Sequence, residues 1–385
     1  MGWEYKEVIM SDRPKRPSLF RWILAAAASI GVGVMLFILQ VTRHPMLLQS
    51  WSIWLLTCLP IVICLLLFSI QSYFFGLALG QWELLQHESL RVKQEWNYWA
   101  ERYISVVSSC VLFPDKITAS LLMNNAGNLE AQWGLIRRID YLSKKTSQIY
   151  QAIHTLLNSI EQKVIALPIK EGLRITVLID TPLNQRDSIR ATLIEVWQDV
   201  FPNKPLPSYI NITEQLSCSS LDLQLRQAKT DYELLLVIQL HGKDDYSDGL
   251  AIFLLATDDI EQKYNLKTIA RILRPMLLDM DNLKTELEVF LYMQTTSHQT
   301  KDIISDSQKV ITLLPEIFPV GEKYGVIWNT QDVRLIEMFM GISGPFSEWL
   351  IMALAVDCSN LNSTPSLAIS VGGNWVTTVV PGYTV

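Results

Sequence analysis

The chain has 385 residues, a net charge of −6 and 49% hydrophobic residues. No basic block longer than the Arg13, Lys15, Arg16 cluster occurs, so a nucleic-acid partner is not indicated. Its five cysteines are irregularly spaced and form no Cys-x-x-Cys pair, which argues against a disulfide framework or a structural zinc site.

Two uncharged stretches, Trp22–Thr42 and Pro45–Trp82, stand near the N-terminus. A helix needs about 20 apolar residues to cross the roughly 30 Å hydrocarbon core of a bilayer, and both stretches are long enough. Lys6, Arg13, Lys15, Arg16 and Arg21 precede the first stretch, while Arg91, Lys93 and Arg102 follow the second. Only Arg43 is fully positive between them. Positive residues stay on the cytoplasmic side, so both termini are expected in the cytoplasm of a bacterial inner-membrane protein, with a short outer loop around Arg43–Gln49. A cleaved signal peptide is the alternative, and it would move the soluble part outside. The expected organisation is a cytoplasmic tail over 1–21, two transmembrane helices over 22–82, a helical connector over 83–167 and an α/β soluble domain over 168–385.

The segment from Glu83 to Val164 reads as helical. It has breaks at Phe113-Pro114-Asp115 and Asn124-Asn125-Ala126-Gly127-Asn128, and a later apolar face through Ile149, Ile153, Leu156, Ile160 and Val164, with Lys144 and Lys145 off it. From Leu173 the pattern changes. Arg174–Asp180 is a β-branched run ending at a proline turn, the mark of a buried strand. A helix over Asp187–Phe201, a strand over Ser208–Thr213, a helix over Ser219–Thr230 and strands over Tyr232–Leu240 and Gly249–Ala256 follow. Such alternation implies an α/β layer with a parallel sheet, its last strand an antiparallel hairpin partner. Asn265–Leu278 and Asp281–Gln294 read as helices, Tyr324–Trp328 as a strand and Ser347–Val356 as a helix. Ser366–Val371 and Trp375–Val380 form two strands across Gly372-Gly373.

Cys218 is the candidate reactive residue, because it lies just before a helix in Leu216-Ser-Cys-Ser-Ser-Leu221. A helix N-terminus lowers a thiol's pKa and orients it as a nucleophile. Strand, Cys at a helix start, strand, then Ser247-Asp248-Gly249 opening an apolar strand resembles the first half of thiolase-like enzymes such as ketoacyl synthases. Gly341-Ile-Ser-Gly344 before a helix and Gly372-Gly373 between strands echo that family's second half. The resemblance covers Leu173 to Val380. It implies a nucleophilic Cys218 and histidines in the second half that activate it. The only histidine after His241 is His298, in Thr295-Thr-Ser-His-Gln-Thr300, and a His-Gly-Thr motif is absent, with Val326-Ile-Trp-Asn-Thr-Gln331 where it would fall. A degenerate, non-catalytic domain with Cys218 a buried bystander is therefore expected. Asp244, Asp245, Asp248, Asp258, Asp259 and Glu261 flank the hairpin strand, where polar turns explain them as well as a divalent cation does. No P-loop, dinucleotide glycine motif, His-Glu-x-x-His or Gly-x-Ser-x-Gly occurs, so no cofactor and no metal are expected.

The plan of a membrane hairpin, helical connector and cytoplasmic α/β body resembles accessory inner-membrane proteins of bacterial type VI secretion systems. That resemblance implies a non-enzymatic scaffold or adaptor, with the lipid bilayer and secretion-machine proteins as partners. The alternative is a membrane-surface acyltransferase of thiolase-like type using Cys218.

Overall fold

The structure is a computed structural model and describes residues 2–3, 12–42, 53–125, 130–142, 147–167, 172–207, 209–226 and 232–382. The Arg43–Gln49 loop, the break at 126–128, Lys144, Lys145 and the far end of the helix expected to reach Thr230 lie outside the described residues. Contacts divide the chain into a helical unit, Lys6–Glu95, and a body formed by Met1–Tyr5 and Trp96–Val385.

In the helical unit, α1 (Leu19–Thr42) and α2 (Ile53–Ala100) run antiparallel. The Trp22 indole donates to Gln71 at 2.7 Å and its ring meets Phe68 at 5.3 Å. Toward the other end, α1 comes so near α2 that a Cβ at Gly33 would lie 2.6 Å from the Thr57 carbonyl. Small residues permit such backbone approach. The apolar side chains of α1 point outward, Phe20 at 73% exposure and Met35 at 62%, as they would toward lipid. Both helices are long and apolar enough to cross a membrane. The 48 residues of α2 measure about 70 Å, more than twice the roughly 30 Å hydrocarbon core. The helix continues past Trp82 because Gln81–Ala100 contains neither Gly nor Pro. Arg91, placed between Glu88 (2.5 Å) and Glu95 (3.9 Å), adds support at helical spacing.

The body begins with β1 (Tyr103–Leu112), α3 (Ala119–Asn125) and α4 (Gln148–Ile165). The helical connector expected over 83–167 is thus corrected. A ten-residue strand interrupts it, paired along its length with later parts of the chain. Then come β2 (Leu173–Ile179), α5 (Arg186–Val200), β3 (Tyr209–Thr213), α6 (Ser219–Arg226), β4 (Tyr232–Gln239), β5 (Gly249–Thr257) and α7 (Asp258–Tyr264). The second half runs β6 (Ala270–Leu273), β7 (Met276–Leu277), α8 (Leu283–Met293), β8 (Asp302–Ser305), α9 (Val310–Lys323), β9 (Val333–Leu335), α10 (Ile336–Met340), α11 (Ser347–Asn362), β10 (Ser366–Ser370) and β11 (Trp375–Pro381).

Among the described residues these strands form one 11-stranded mixed sheet in the order β3-β2-β4-β5-β1-β6-β11-β10-β8-β9, with β7 on β11. The order is a duplication. In each half a strand pairs parallel with an edge strand (β2 with β3, β8 with β9) and with an inner one (β4, β10), whose antiparallel neighbour follows (β5, β11). The antiparallel β1–β6 pair joins the halves. Helices correspond likewise: α4 to α8, α5 to α9 and α6 to α11.

Period-2 alternation assigns the layers. In β4, Leu234, Leu236 and Ile238 face α4 and α5, whereas Leu235 and Val237 face α6 and α11. The second half's own outer cluster gathers α8 and α9. The middle cluster, shared by both halves, buries the whole apolar stretch Trp349–Val356 of α11. A helix apolar all round has to be enclosed on every side, and α11 is.

Two further expectations are corrected. Asn265–Leu278, read as helix, supplies β6 and β7, since Ala270–Ile272 pair with β1 on one side and β11 on the other. Tyr324–Trp328, read as a strand, is irregular. Gly325 turns the chain at φ +82°, and the Trp328 ring packs so closely on Gly321 that a Cβ there would lie 2.4 Å from it.

Candidate functional site

Cys218 immediately precedes α6, and the corresponding helix of the second half, α11, starts against it. Its Sγ lies 4.0 Å from the Glu348 carbonyl oxygen, and its backbone N–H lowers the proton affinity of the Glu348 carboxyl. The Trp375 indole donates to the same carboxylate at 2.7 Å, and the Trp349 indole holds the segment before Cys218 through the Leu216 carbonyl at 2.6 Å. Glu348 stands in the first turn of α11, where a negative charge complements the helix dipole.

Behind Glu348 lies Asp306, 1% exposed, at the end of β8. Its carboxylate accepts from Ser370 Oγ (2.6 Å), Val371 N (2.9 Å), Gly372 N (3.2 Å) and Ser347 Oγ (3.4 Å). One side chain therefore ties β8, the start of α11 and the β10–β11 turn together. Gly373 is required in that turn, because a Cβ would lie 2.6 Å from Glu348 Oε2 and 2.7 Å from Trp375 Nε1. Gln239, fully buried at the end of β4, joins the halves by donating to the Ser247 carbonyl (2.7 Å) and accepting from Phe346 N (3.0 Å).

The electrostatics differ from those expected of a helix-start cysteine. Cys218 is 0% exposed, and burial pushes its thiol well above the ordinary range, with Glu348 and Asp306 adding to the rise. Desolvation disfavours the charged thiolate. Burial also raises Glu348, opposed by the indole of Trp375 and the N–H of Cys218. The resting thiol is protonated and turned to the Glu348 main-chain carbonyl, beside a carboxyl whose proton affinity is increased. A thiol becomes a nucleophile only as its proton leaves.

The histidines that the family resemblance calls for are placed elsewhere. His298 Nε2 bonds the Leu291 carbonyl at 2.8 Å, His241 pairs with Asp180 at 3.0 Å and His154 lies 3.4 Å from Asp199. The flanking carboxylates are taken up by arginines or turns. Arg138 binds Asp248 (2.6 Å), Arg102 binds Asp258 (2.8 Å) with Asp259 at 3.9 Å, and Arg271 binds Glu261. Asp244 and Asp245 are exposed. Ser247 and Asp248 bracket residues 135–139 against the body, through Arg137 N to Ser247 Oγ (3.0 Å) and Ile139 N to Asp248 Oδ2 (3.0 Å).

No family model matches the sequence, and no curated protein matches it either. Solved structures do. A ketosynthase from module 6 of the bacillaene synthase of Bacillus subtilis superposes with a TM-score of 0.50 at 8% identity, covering 74% of this chain and 72% of that one. The fold is thiolase-like. The module 1 ketosynthase of the Bacillus amyloliquefaciens bacillaene synthase gives 0.48 at 11% identity over 74% of this chain and 77% of that one. The C-terminal type III polyketide synthase domain of Steely1 from Dictyostelium gives 0.42 at 10% identity over 73% and 100%. The expected scaffold or adaptor of a secretion machine is corrected by the likeness at a TM-score of 0.50, whose structure is a ketosynthase.

The sequence singled out Cys218 and the Gly372-Gly373 turn but missed Glu348, Asp306, Ser370 and Trp375. The missed signal was the repeated strand–helix order, which makes Ser347-Glu348 the second-half counterpart of the cysteine-bearing helix start.

Proposed function

We propose that the protein is a membrane-anchored acyl-transferring enzyme of thiolase type in which Cys218 accepts the acyl group. The observation that carries this reading is the junction itself. A cysteine at one helix start meets a carboxylate at the duplicated helix start, in the central layer of the fold. The thiol attacks the carbonyl of an acyl thioester and passes its proton to Glu348. The Sγ–acyl bond forms, the donor's C–S bond breaks, and the departing thiolate takes the proton back. Glu348 takes the place of a base in this scheme, with Trp375 and Asp306 fixing its position. Because Cys218 is buried, its cover opens before the donor enters.

Two helices of membrane-spanning length support the anchor. Trp3 packs on the body, 5.3 Å from Trp99 and 5.7 Å from Phe290. This supports a two-span hairpin that returns the N-terminus and the body to one side.

The test is intact-protein mass spectrometry of the detergent-solubilised full chain after incubation with an octanoyl thioester of pantetheine. A hydroxylamine-labile octanoyl adduct on the wild type, absent from Cys218→Ala, is expected. A folded wild type that stays unmodified through prolonged incubation rejects the reading.

A further inference from the structure

A cavity of about 640 Å³ opens in the outer α4–α5 layer, within the roughly 300–1,000 Å³ typical of small-molecule sites. It lies at the amino ends of β2 and β4, where Leu173 and Tyr232 line it, and at the carboxyl end of α5, where Trp197 and Phe201 line it. Cys218 precedes a helix that follows the carboxyl end of β3. In alternating strands and helices, these are opposite edges of the sheet. The cavity also belongs to the outer cluster, whereas Cys218 belongs to the middle one.

Its wall is apolar for a reason legible in the chain. Residues 201–207 read Phe-Pro-Asn-Lys-Pro-Leu-Pro, and three prolines remove three backbone donors. Ile165 and Leu206, at 53% and 40% exposure, leave an apolar lip open to solvent. One donor stands against this wall. The Lys204 ammonium donates to the Val164 carbonyl, using one of its three N–H groups. Burial lowers its pKa, which an anion at the site would reverse. Glu161 is the one acidic side chain of the wall. It disfavours a doubly charged head group more than a singly charged one.

We infer that this cavity binds a monocarboxylate with an alkyl body, its carboxylate held by Lys204 and its chain by the proline-rich wall. The alkyl chain takes water off the apolar lining. The assignment does not depend on acyl transfer at Cys218.

The experiment is photolabelling of the full chain in nanodiscs with decanoic acid carrying a diazirine near its methyl end, followed by peptide mass spectrometry. Labelling is expected in residues 197–207. It should be displaced by decanoate, not by decanol, and be lost in Val200→Trp, which fills the space. Lys204→Gln, at a half-exposed position that leaves the core intact, should weaken labelling about tenfold, the scale of one charge-assisted hydrogen bond. Equal displacement by decanol overturns the head-group assignment. Labelling that is spread over the helices, or that survives both substitutions in proteins with wild-type melting temperatures, overturns the site.

Discussion

The two halves of the body share a topology but divide the chemistry between them. The first half presents a thiol at its inner helix start and surrounds it with apolar side chains. The second half presents carboxylates at the matching place, Glu348 on α11 and Asp306 at the end of β8, and holds them with indole, hydroxyl and backbone donors. Duplication thus supplies one frame twice, and the side chains at equivalent points are free to diverge into complementary partners. Each half is incomplete at the junction without the other.

The largest break in this arrangement is Asp306→Ala. It leaves Ser370 Oγ, Ser347 Oγ and two backbone N–H groups without their acceptor inside the fold. Unmatched buried groups cost about 1–3 kcal/mol each before relaxation, so a loss of about 3 kcal/mol or more is expected in denaturant unfolding. A loss under about 1 kcal/mol would show that the second half does not depend on this tie. Gly373→Ala comes next. Its added methyl meets Glu348 and Trp375 at once, and overpacking of this kind costs about 1–3 kcal/mol. The same change should slow octanoyl transfer to Cys218 by displacing the carboxylate, whereas Gly372→Ala, with its nearest contact at 3.2 Å, should be milder in both assays.

A third substitution sharpens the comparison with the opposite sign. Asp357, on α11, accepts from Ser109 Oγ at 2.6 Å, and burial pushes its carboxyl up to about 6. The folded chain therefore binds this proton more tightly than the unfolded one. Stability from this group is fully present below the normal aspartate pKa and falls as pH rises through about 6. Asp357→Asn should raise stability at pH 8 by about 1–2 kcal/mol and flatten the pH dependence between about 4 and 6. An unchanged pH profile would exclude the mechanism.

The smallest effect is expected from Glu348→Gln on the alkylation of Cys218 by iodoacetamide. Burial is the first cause of the thiol's raised pKa and the carboxylate only the second. The rate should still climb with pH through the alkaline range, displaced slightly toward lower pH. A large acceleration at neutral pH would instead make charge, not burial, the controlling factor.

Legibility in the sequence followed the local strength of each signal. β4, β5 and the β10–β11 hairpin carry unbroken apolar runs bounded by turns, and α11 is announced by Gly344-Pro345. β1 was hidden because it follows a helix that ends without Gly or Pro, and because Ser105, Ser108 and Ser109 dilute its apolar pattern. α9 was hidden by Pro315 and Pro319, which usually break helices. It survives because Val310, Leu314, Ile317 and Val320 still line one buried face. Of the site, Cys218 was visible from its place before a helix. Its partners come from distant parts of the chain, so only the tertiary fold brings them to it.

The strand that joins the halves also sets an order of events during synthesis. β1 is the first strand made, yet Ile104 pairs with Thr257 on one side and Ile272 on the other, partners that emerge only after most of the first half. Pairings so far apart in sequence form slowly, and until they form β1 presents two open edges next to a finished helix. Ribosome-arrested chains that stop before Gly249 should be cut by protease within Tyr103–Leu112, and chains that extend past Leu273 should resist. The earliest strand to leave the ribosome is thus enclosed only after every other strand of the first half has been made.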